Sequence, residues 1–184
     1  MNRRAALTTL TVLSGSALVL MTGVWESCNH PPAKRTSLTG KDVPLLNEIG
    51  EAIIPATLTS PGAKQAGVGD YMLLMVNDCF SNERRKLFIE GLNTFDEICR
   101  HQHQNLFINL SAELKKKFLQ QLNKETQLTR KDEEHYFSML KSLTINGYIS
   151  SKEGVTKAFR YDPVPGKFEG CHPYEKGDKP WSAT

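Results

Sequence analysis

The sequence predicts an all-α protein: a single bundle of five or six helices with one long irregular loop and an irregular C-terminal tail. Apolar residues recur at steps of three and four over most of the 184-residue chain, which is the period of an amphipathic helix. No stretch of useful length alternates apolar and polar residues, as a strand would. Proline and glycine concentrate in residues 55–69 and 160–184, and this composition predicts irregular structure there.

The N-terminal segment, residues 1–28, predicts an export signal or a membrane anchor. Arg3 and Arg4 precede an apolar run from Ala5 to Trp25, and a charged start before an apolar centre is typical of a signal peptide. The alternative is an uncleaved anchor, because about twenty apolar residues suffice to cross a bilayer. The paired arginines resemble a twin-arginine signal, which exports proteins already folded.

Cys28 follows the apolar run, where the lipidated cysteine of a lipoprotein would stand. Trp25 and Glu26 fit the rest of that pattern poorly, so cleavage elsewhere and an uncleaved anchor stay open. In each case the body faces an oxidising compartment, and we expect a periplasmic, membrane-associated protein. Residues 29–37 contain two prolines and no apolar period, which predicts a flexible tether to the body, residues 38–184.

The first half of the body predicts two helices separated by a loop. One helix runs from Thr39 with a single apolar face and stops at Pro55. The segment from Pro55 to Gly69 is too rich in proline and glycine for a regular element. A second helix follows over residues 70–79, and its continuous apolar block from Met72 to Val76 predicts burial on most sides.

Serine caps mark the next two helices. Ser81 is expected to cap a helix whose apolar stripe runs from Leu87 to Cys99. Ser111 is expected to cap the following helix, with Glu113 in its first turn. The residues that this helix is expected to bury are Leu114, Phe118, Leu119 and Leu122.

The last third of the chain predicts two more helices and the tail. Residues 131–146 form the fifth helix, which Asn146 and Gly147 close with a left-handed cap. Ser150 with Glu153 has the spacing of a capping box for a short helix that ends near Phe159. The tail from residue 160 onward is irregular.

Histidine and acidic residues often bind metals or act in catalysis, but their positions in this sequence favour structural roles. His101 and His103 lie two positions apart, so on a helix their side chains point roughly 200° from one another and cannot chelate one metal ion. The acidic run 132–134 suits a helix start. No covalent haem motif, phosphate loop or dinucleotide fingerprint occurs. Redox cofactors, if the protein works with any, are therefore expected in another chain.

Charge argues against a nucleic-acid partner. The formal net charge is only +3, the charges are interspersed, and no aromatic residues interleave with a basic stripe.

The body carries Cys79, Cys99 and Cys171, an odd number for an oxidising compartment. One thiol is then free or paired with another chain. We expect Cys171, in the irregular tail, to contact a partner and to be a candidate for a disulfide with it, because prolines hold residues 162–166 extended and can project the tail away from the bundle. An internal bridge from Cys171 to Cys79 or Cys99 is the alternative.

Several of these segments together resemble one family. They are Glu51 to Thr57 (EAIIPAT), Pro61 to Val68 (PGAKQAGV), Asn77 to Phe80 (NDCF), and Arg160 to Gly166 (RYDPVPG) followed by Gly170-Cys171. Combined with the twin-arginine start, they are similar to the gluconate 2-dehydrogenase subunit 3 family, the small or gamma subunit. The similarity spans nearly the whole body.

The resemblance implies an accessory subunit without catalytic residues, cofactor or metal of its own. Its partner would be a flavoprotein with FAD, of the glucose-methanol-choline oxidoreductase type, acting on a sugar or sugar acid. A cytochrome subunit with haem c could take the electrons. The small subunit would supply the export signal for its folded partner and aid its folding and stability. The residues expected to face the partner are Pro55, Thr57, Pro61, Gly62, Gly67, Tyr161, Asp162, Pro163, Pro165 and Gly166.

A different class of function stays open, namely a stand-alone periplasmic lipoprotein or a membrane-anchored ligand-binding protein. In that case a pocket between the two irregular segments would hold the ligand.

Overall fold

The computed structural model describes residues 34–128, 134–164, 166, 171, 173 and 175–182. Within these ranges the regular elements are helices. The β pairing among the described residues is limited to one isolated bridge between Arg160 and Trp181. The predicted all-α class is confirmed. The α-helices are α1 (Val43–Ile53), α2 (Val68–Leu74), α3 (Asn82–His103), α4 (Ala112–Leu128) and α5 (Tyr136–Ser150). Short 3₁₀ or π turns cover Gly40–Asp42, Met75–Cys79, Phe107–Asn109 and Gly154–Ala158.

Arg3, Arg4, the apolar run and Cys28 lie outside the described residues. Among the helices that are described, none combines the length and the apolar character that a membrane span requires.

The compact body begins at Arg35. Its guanidinium donates hydrogen bonds of 2.6 Å to carboxylate oxygens of Asp42 and Asp96. Its backbone N–H donates to Asn93 Oδ1 (2.9 Å), and its carbonyl accepts from Asn93 Nδ2 (3.0 Å). The tether predicted over 29–37 therefore extends too far, because Arg35 is fixed on α3 as the cation between two largely buried carboxylates. Residues 29–33 lie outside the described ranges.

Helices α1, α2 and α5 pack against one another around a shared core. Leu46, Ile49, Met72 and Leu140 are fully buried there. Helices α2 and α5 approach each other closely at Gly147, because a Cβ at this position would lie 2.6 Å from the Tyr71 ring. The predicted left-handed cap at Gly147 is wrong: the glycine is inside α5, which continues to Ser150, and its role is to admit a neighbouring ring.

The apolar block on α2 is buried on one side only. Met72 and Val76 are fully buried, whereas Leu74 is 59% exposed. The prediction of burial on most sides is therefore wrong, because α1 and α5 cover only the face that carries Met72. The helix begins at Val68 and ends at Leu74, and the π turn Met75–Cys79 follows it directly.

Both serine caps are confirmed. Ser81 Oγ accepts from Arg84 N (3.3 Å) and Ser111 Oγ from Leu114 N (3.4 Å). Leu114 itself is 39% exposed, so its predicted burial is wrong. It lies at the edge of the stripe formed by Phe118, Leu119 and Leu122, all of which are buried.

The C-terminal helices are shifted from their predicted ends. Residues 131–133 lie outside the described ranges, and α5 begins at Tyr136 after a cap in which His135 Nδ1 accepts from Phe137 N (3.1 Å). The next cap is Ser151 and not Ser150. Ser151 Oγ accepts from Gly154 N (2.9 Å), because Ser150 is still helical and bonds back to the Asn146 carbonyl.

Candidate functional site: a braced surface loop

The loop between α1 and α2, residues 54–67, is called the braced loop below. It is held at its base by Glu51. The Glu51 carboxylate accepts from Ala56 N (2.9 Å) with one oxygen and from Lys64 N (3.0 Å) with the other. Gly62 lies directly beside this carboxylate, where a Cβ would collide with both oxygens. The position is restricted to glycine because any side chain would push the carboxylate away from the two amides.

The tip of the loop is a tight turn. Thr57 N donates to the Ser60 carbonyl (2.9 Å), and Ser60 N donates to Thr57 Oγ1 (3.0 Å). Leu58 stands at this tip and is fully exposed, at 107% of its reference area. A leucine side chain that stays in water contributes no burial energy to the stability of the free chain.

Tyr148 supports the loop from the core side. Its hydroxyl donates to the Pro61 carbonyl (2.7 Å) and lies 2.7 Å from Ser60 Oγ. Tyr148 is buried on α5, 6% exposed, so the loop is fixed to a rigid element. The conformation of the loop is therefore set within the free chain.

A bridging carboxylate connects the loop to two helices. Glu48 on α1 accepts from Lys115 Nζ of α4 (2.6 Å) and from Lys64 Nζ of the loop (2.5 Å). The hydrogen bonds from Lys115 and then from Lys64 lower the pKa of Glu48. Glu48 is therefore charged throughout the neutral range, and it holds the loop, α1 and α4 together.

The structure divides the predicted partner-facing residues of this loop into two groups. Pro55 and Thr57 are exposed, whereas Pro61 and Gly62 are buried. The expectation that Pro61 and Gly62 face a partner is wrong, because they form the base that Glu51 and Tyr148 hold. Gly67 is half-buried with φ of 68°, at the N-cap of α2. The exposed residues of the loop are 55–59 at the tip, together with Lys64 and Gln65.

The two ends of the tail meet. Arg160 N donates to the Pro180 carbonyl (2.8 Å), Ser182 N donates to the Arg160 carbonyl (3.0 Å), and the Arg160 guanidinium lies over the Trp181 ring at 4.1 Å. Residues 180–182 thus lie against the first residue of the tail. Tyr161, Asp162, Pro163 and Gly166, between these ends, are exposed. Pro165 lies outside the described residues.

The cysteines of the body form no disulfide among the described residues. Cys79 and Cys171 are exposed, and Cys99 is buried. Burial is the main cause that raises the pKa of the Cys99 thiol to about 11, so Cys99 is an inert core residue. The internal bridge from Cys171 to Cys79 or Cys99 is not formed in this structure.

His101 and His103 lie at the C-terminal end of α3. His103 packs edge-on against Phe118 with ring centroids 5.8 Å apart, and His101 is exposed at the end of α3. In the part of the chain that is described, no three His, Cys, Asp or Glu side chains come together as metal ligands would.

Sequence reasoning missed the residues that make this loop a site, namely Glu51, Leu58 and Tyr148. Leu58 could have been found, since it is the one large apolar residue between Pro55 and Pro61. Tyr148 had no local signal, because its hydrogen bond to Pro61 joins residues 87 positions apart.

Comparison with known proteins gives one finding. The family model of gluconate 2-dehydrogenase subunit 3 matches residues 41–166, a range that contains the braced loop, all five α-helices and the first part of the tail. No curated protein matches the chain, and no solved structure does.

Proposed function

The chain belongs to the gluconate 2-dehydrogenase subunit 3 family, and from this premise we propose that it is the non-catalytic small subunit of a periplasmic dehydrogenase complex. Family membership implies a dehydrogenase complex and other subunits as partners. The proposal adds that the catalytic subunit is an FAD-containing flavoprotein of the glucose-methanol-choline type. Its substrate class is a sugar or sugar acid, and a third subunit with haem c takes the electrons.

The observation that carries the proposal beyond the family is the braced loop with Leu58 at its tip. A loop whose backbone is fixed in the free chain is preorganised for binding, because little backbone entropy remains to be lost on association. An aliphatic side chain that enters an apolar socket can act as an anchor of an interface. The loop thus supports a role in which this chain binds a larger subunit.

The proposed role before catalysis is export. The N-terminal segment with Arg3 and Arg4 resembles a twin-arginine signal, and that route carries folded proteins. A flavoprotein that folds around FAD in the cytoplasm could cross the membrane bound to this chain. Membrane association through the N-terminal segment, lipidation at Cys28 and contact of Cys171 with the partner are part of the same proposal.

Co-expression with the flavoprotein tests the docking role directly. With a tag on this chain, we expect the flavoprotein to co-purify, and Leu58→Asp to weaken the complex by about 2 kcal/mol, or roughly thirtyfold in Kd. Binding is measured by titration of the separated subunits. Because Leu58 makes no core contact, the thermal midpoint of the free variant should equal that of the parent.

Two control variants accompany Leu58→Asp. Leu58→Met keeps an apolar side chain at the tip and should retain binding, and Leu74→Asp changes another exposed leucine, on α2. Equal binding by Leu58→Asp and the parent chain would remove the loop from the interface. Failure of the parent chain to co-purify with the flavoprotein would contradict the subunit role itself.

A further inference from the structure

A second surface feature lies beside the braced loop. It is a groove bounded by the C-terminal end of α1, by α4 and by the N-terminal half of α5, with a volume of about 640 Å³. We propose that this groove, called the lysine groove below, binds an acidic segment of the dehydrogenase subunit that also carries apolar side chains. This inference rests on the proposed function, since it names where and how that partner is held.

The floor of the lysine groove is apolar. Ile53 from α1, Leu119 from α4 and Phe137 from α5 line it, and Leu119 and Phe137 are buried beneath it. An occupant with aliphatic or aromatic side chains would remove the accessible part of this floor from water. Because Leu119 and Phe137 are already almost fully buried, the apolar area that an occupant can still cover lies mainly on Ala52 and Ile53, and its burial favours association.

The rim of the lysine groove is cationic. Lys116, Lys124 and Lys141 line it, and no carboxylate is among the lining residues. Lys141 Nζ donates to Asn123 Oδ1 (2.7 Å), which holds its ammonium between α4 and α5. The C-terminal end of α1 contributes about half a negative charge, far less than the three positive charges of the rim. The field therefore selects an occupant with carboxylates.

The shape favours a peptide segment over a small anion. Along α4 the groove is lined at steps of four, three and four by Lys116, Gln120, Asn123 and Gln127, which spans roughly 16 Å of helix. That length matches about five residues of extended chain. The carboxamides can bond to a peptide backbone, while the lysines pair with its acidic side chains. A small ligand usually requires a more enclosed site that buries most of its surface.

The lysine groove also lies next to the braced loop along the chain. Ala52 and Ile53 line the groove, and Glu51, the preceding residue, holds the base of the loop. The groove and the base of the loop thus share the C-terminal end of α1, and we propose that one partner contacts both. The loop provides an apolar anchor, and the groove provides charge selection.

Zero-length cross-linking tests the contact itself. A carbodiimide joins a lysine amine to a carboxylate only when the two touch, so it is applied to the purified complex of tagged chain and flavoprotein subunit. Peptide mapping should find Lys116, Lys124 or Lys141 joined to Asp or Glu of the flavoprotein. Lys86 on α3, whose side chain is 75% exposed, is the matched control and should show no such link.

Charge reversal tests its contribution to affinity. Lys116→Glu with Lys124→Glu should weaken binding roughly tenfold at low salt and flatten its salt dependence, whereas the double arginine variant should bind as the parent does. Both lysines are exposed, so folding should be unaffected. Lys41→Glu with Lys86→Glu, at two exposed positions outside the groove, makes the same change in net charge and is the control.

The outcomes separate the two proposals. A complex that forms without cross-links from the groove, or with unchanged affinity in the double glutamate variant, overturns the lysine groove and leaves the subunit role standing. A parent chain that forms no complex with the flavoprotein overturns both.

Discussion

At the scale of single residues, the candidate site depends on one carboxylate and the space beside it. Glu51 accepts hydrogen bonds from two backbone amides of the loop, and Gly62 leaves room for it. A charged acceptor for backbone N–H groups forms stronger hydrogen bonds than a neutral one. The loop that carries Leu58 is thus fixed at its base by Glu51 and Gly62.

Gly62→Ala is expected to destabilise the body by about 1–3 kcal/mol, because the added methyl group displaces the Glu51 carboxylate from its amides. Gly40→Ala is the matched control: a Cβ there has nothing within 4 Å, so the substitution should be neutral or slightly stabilising. Urea unfolding followed by circular dichroism measures both. Equal midpoints for the two variants would show that the loop base does not need glycine.

At the scale of elements, contacts distant in sequence hold the bundle in register. Glu48 joins α1 to the loop and to α4, and Tyr71 of α2 lies against Gly147 of α5. In each case the partners come from different helices. The position of the loop therefore depends on how these helices pack and not on the loop sequence alone.

Because of Glu48, the free energy of unfolding of the body should fall at acidic pH, and this fall is called the acid limb below. Its pKa is lowered in the folded chain, so its contribution is fully present above the unfolded pKa near 4.5 and is lost as the pH falls through the lower folded value. Urea midpoints measured from pH 7 downward should fall in acid. Glu48→Gln should be less stable at pH 7 and should lose less on acidification. A variant with an acid limb as steep as that of the parent would contradict this role for Glu48.

Gly147→Ala sets two effects against each other. Alanine favours the interior of a helix over glycine by about 1 kcal/mol, but its Cβ would lie 2.6 Å from the Tyr71 ring, and overpacking costs about 1–3 kcal/mol. We expect net destabilisation in thermal unfolding. In the Tyr71→Ala background the clash is gone, so the same substitution should stabilise the chain. A loss of similar size in both backgrounds would exclude the ring as the cause.

At the scale of the whole molecule, our proposal joins an N-terminal export segment to a body with a partner-binding surface, and both act on the same cargo. In this proposal the body binds a flavoprotein after both have folded, and the twin-arginine route is the one that accepts folded proteins.

Arg3→Lys together with Arg4→Lys is expected to retain both this chain and its flavoprotein partner in the cytoplasm. The substitution keeps the positive charge and removes the paired guanidinium groups, which are not interchangeable with ammonium groups in recognition. Fractionation with an activity assay for the flavoprotein measures the result. Normal periplasmic activity in the double variant would rule out the carrier role.

The fold class, the approximate helix positions, the Ser81 and Ser111 caps and the family could all be predicted from the sequence alone. These features are local: a helical stripe repeats every three or four residues, and a cap joins residues three apart. Pro61 and Gly62, in contrast, were expected at the surface, because punctuation residues in a loop have no periodicity that reports burial.

How the loop and the tail are held became visible only in the three-dimensional structure. The contacts that fix Arg35, the loop and the tail join residues far apart in the chain: Arg35 with Asp96, 61 positions away, Pro61 with Tyr148, 87 positions away, and Arg160 with Pro180. No local pattern records which residues meet over such distances. Their meeting follows from the packing of helices into one core, which also placed Gly147 under a ring and left Leu58 in water.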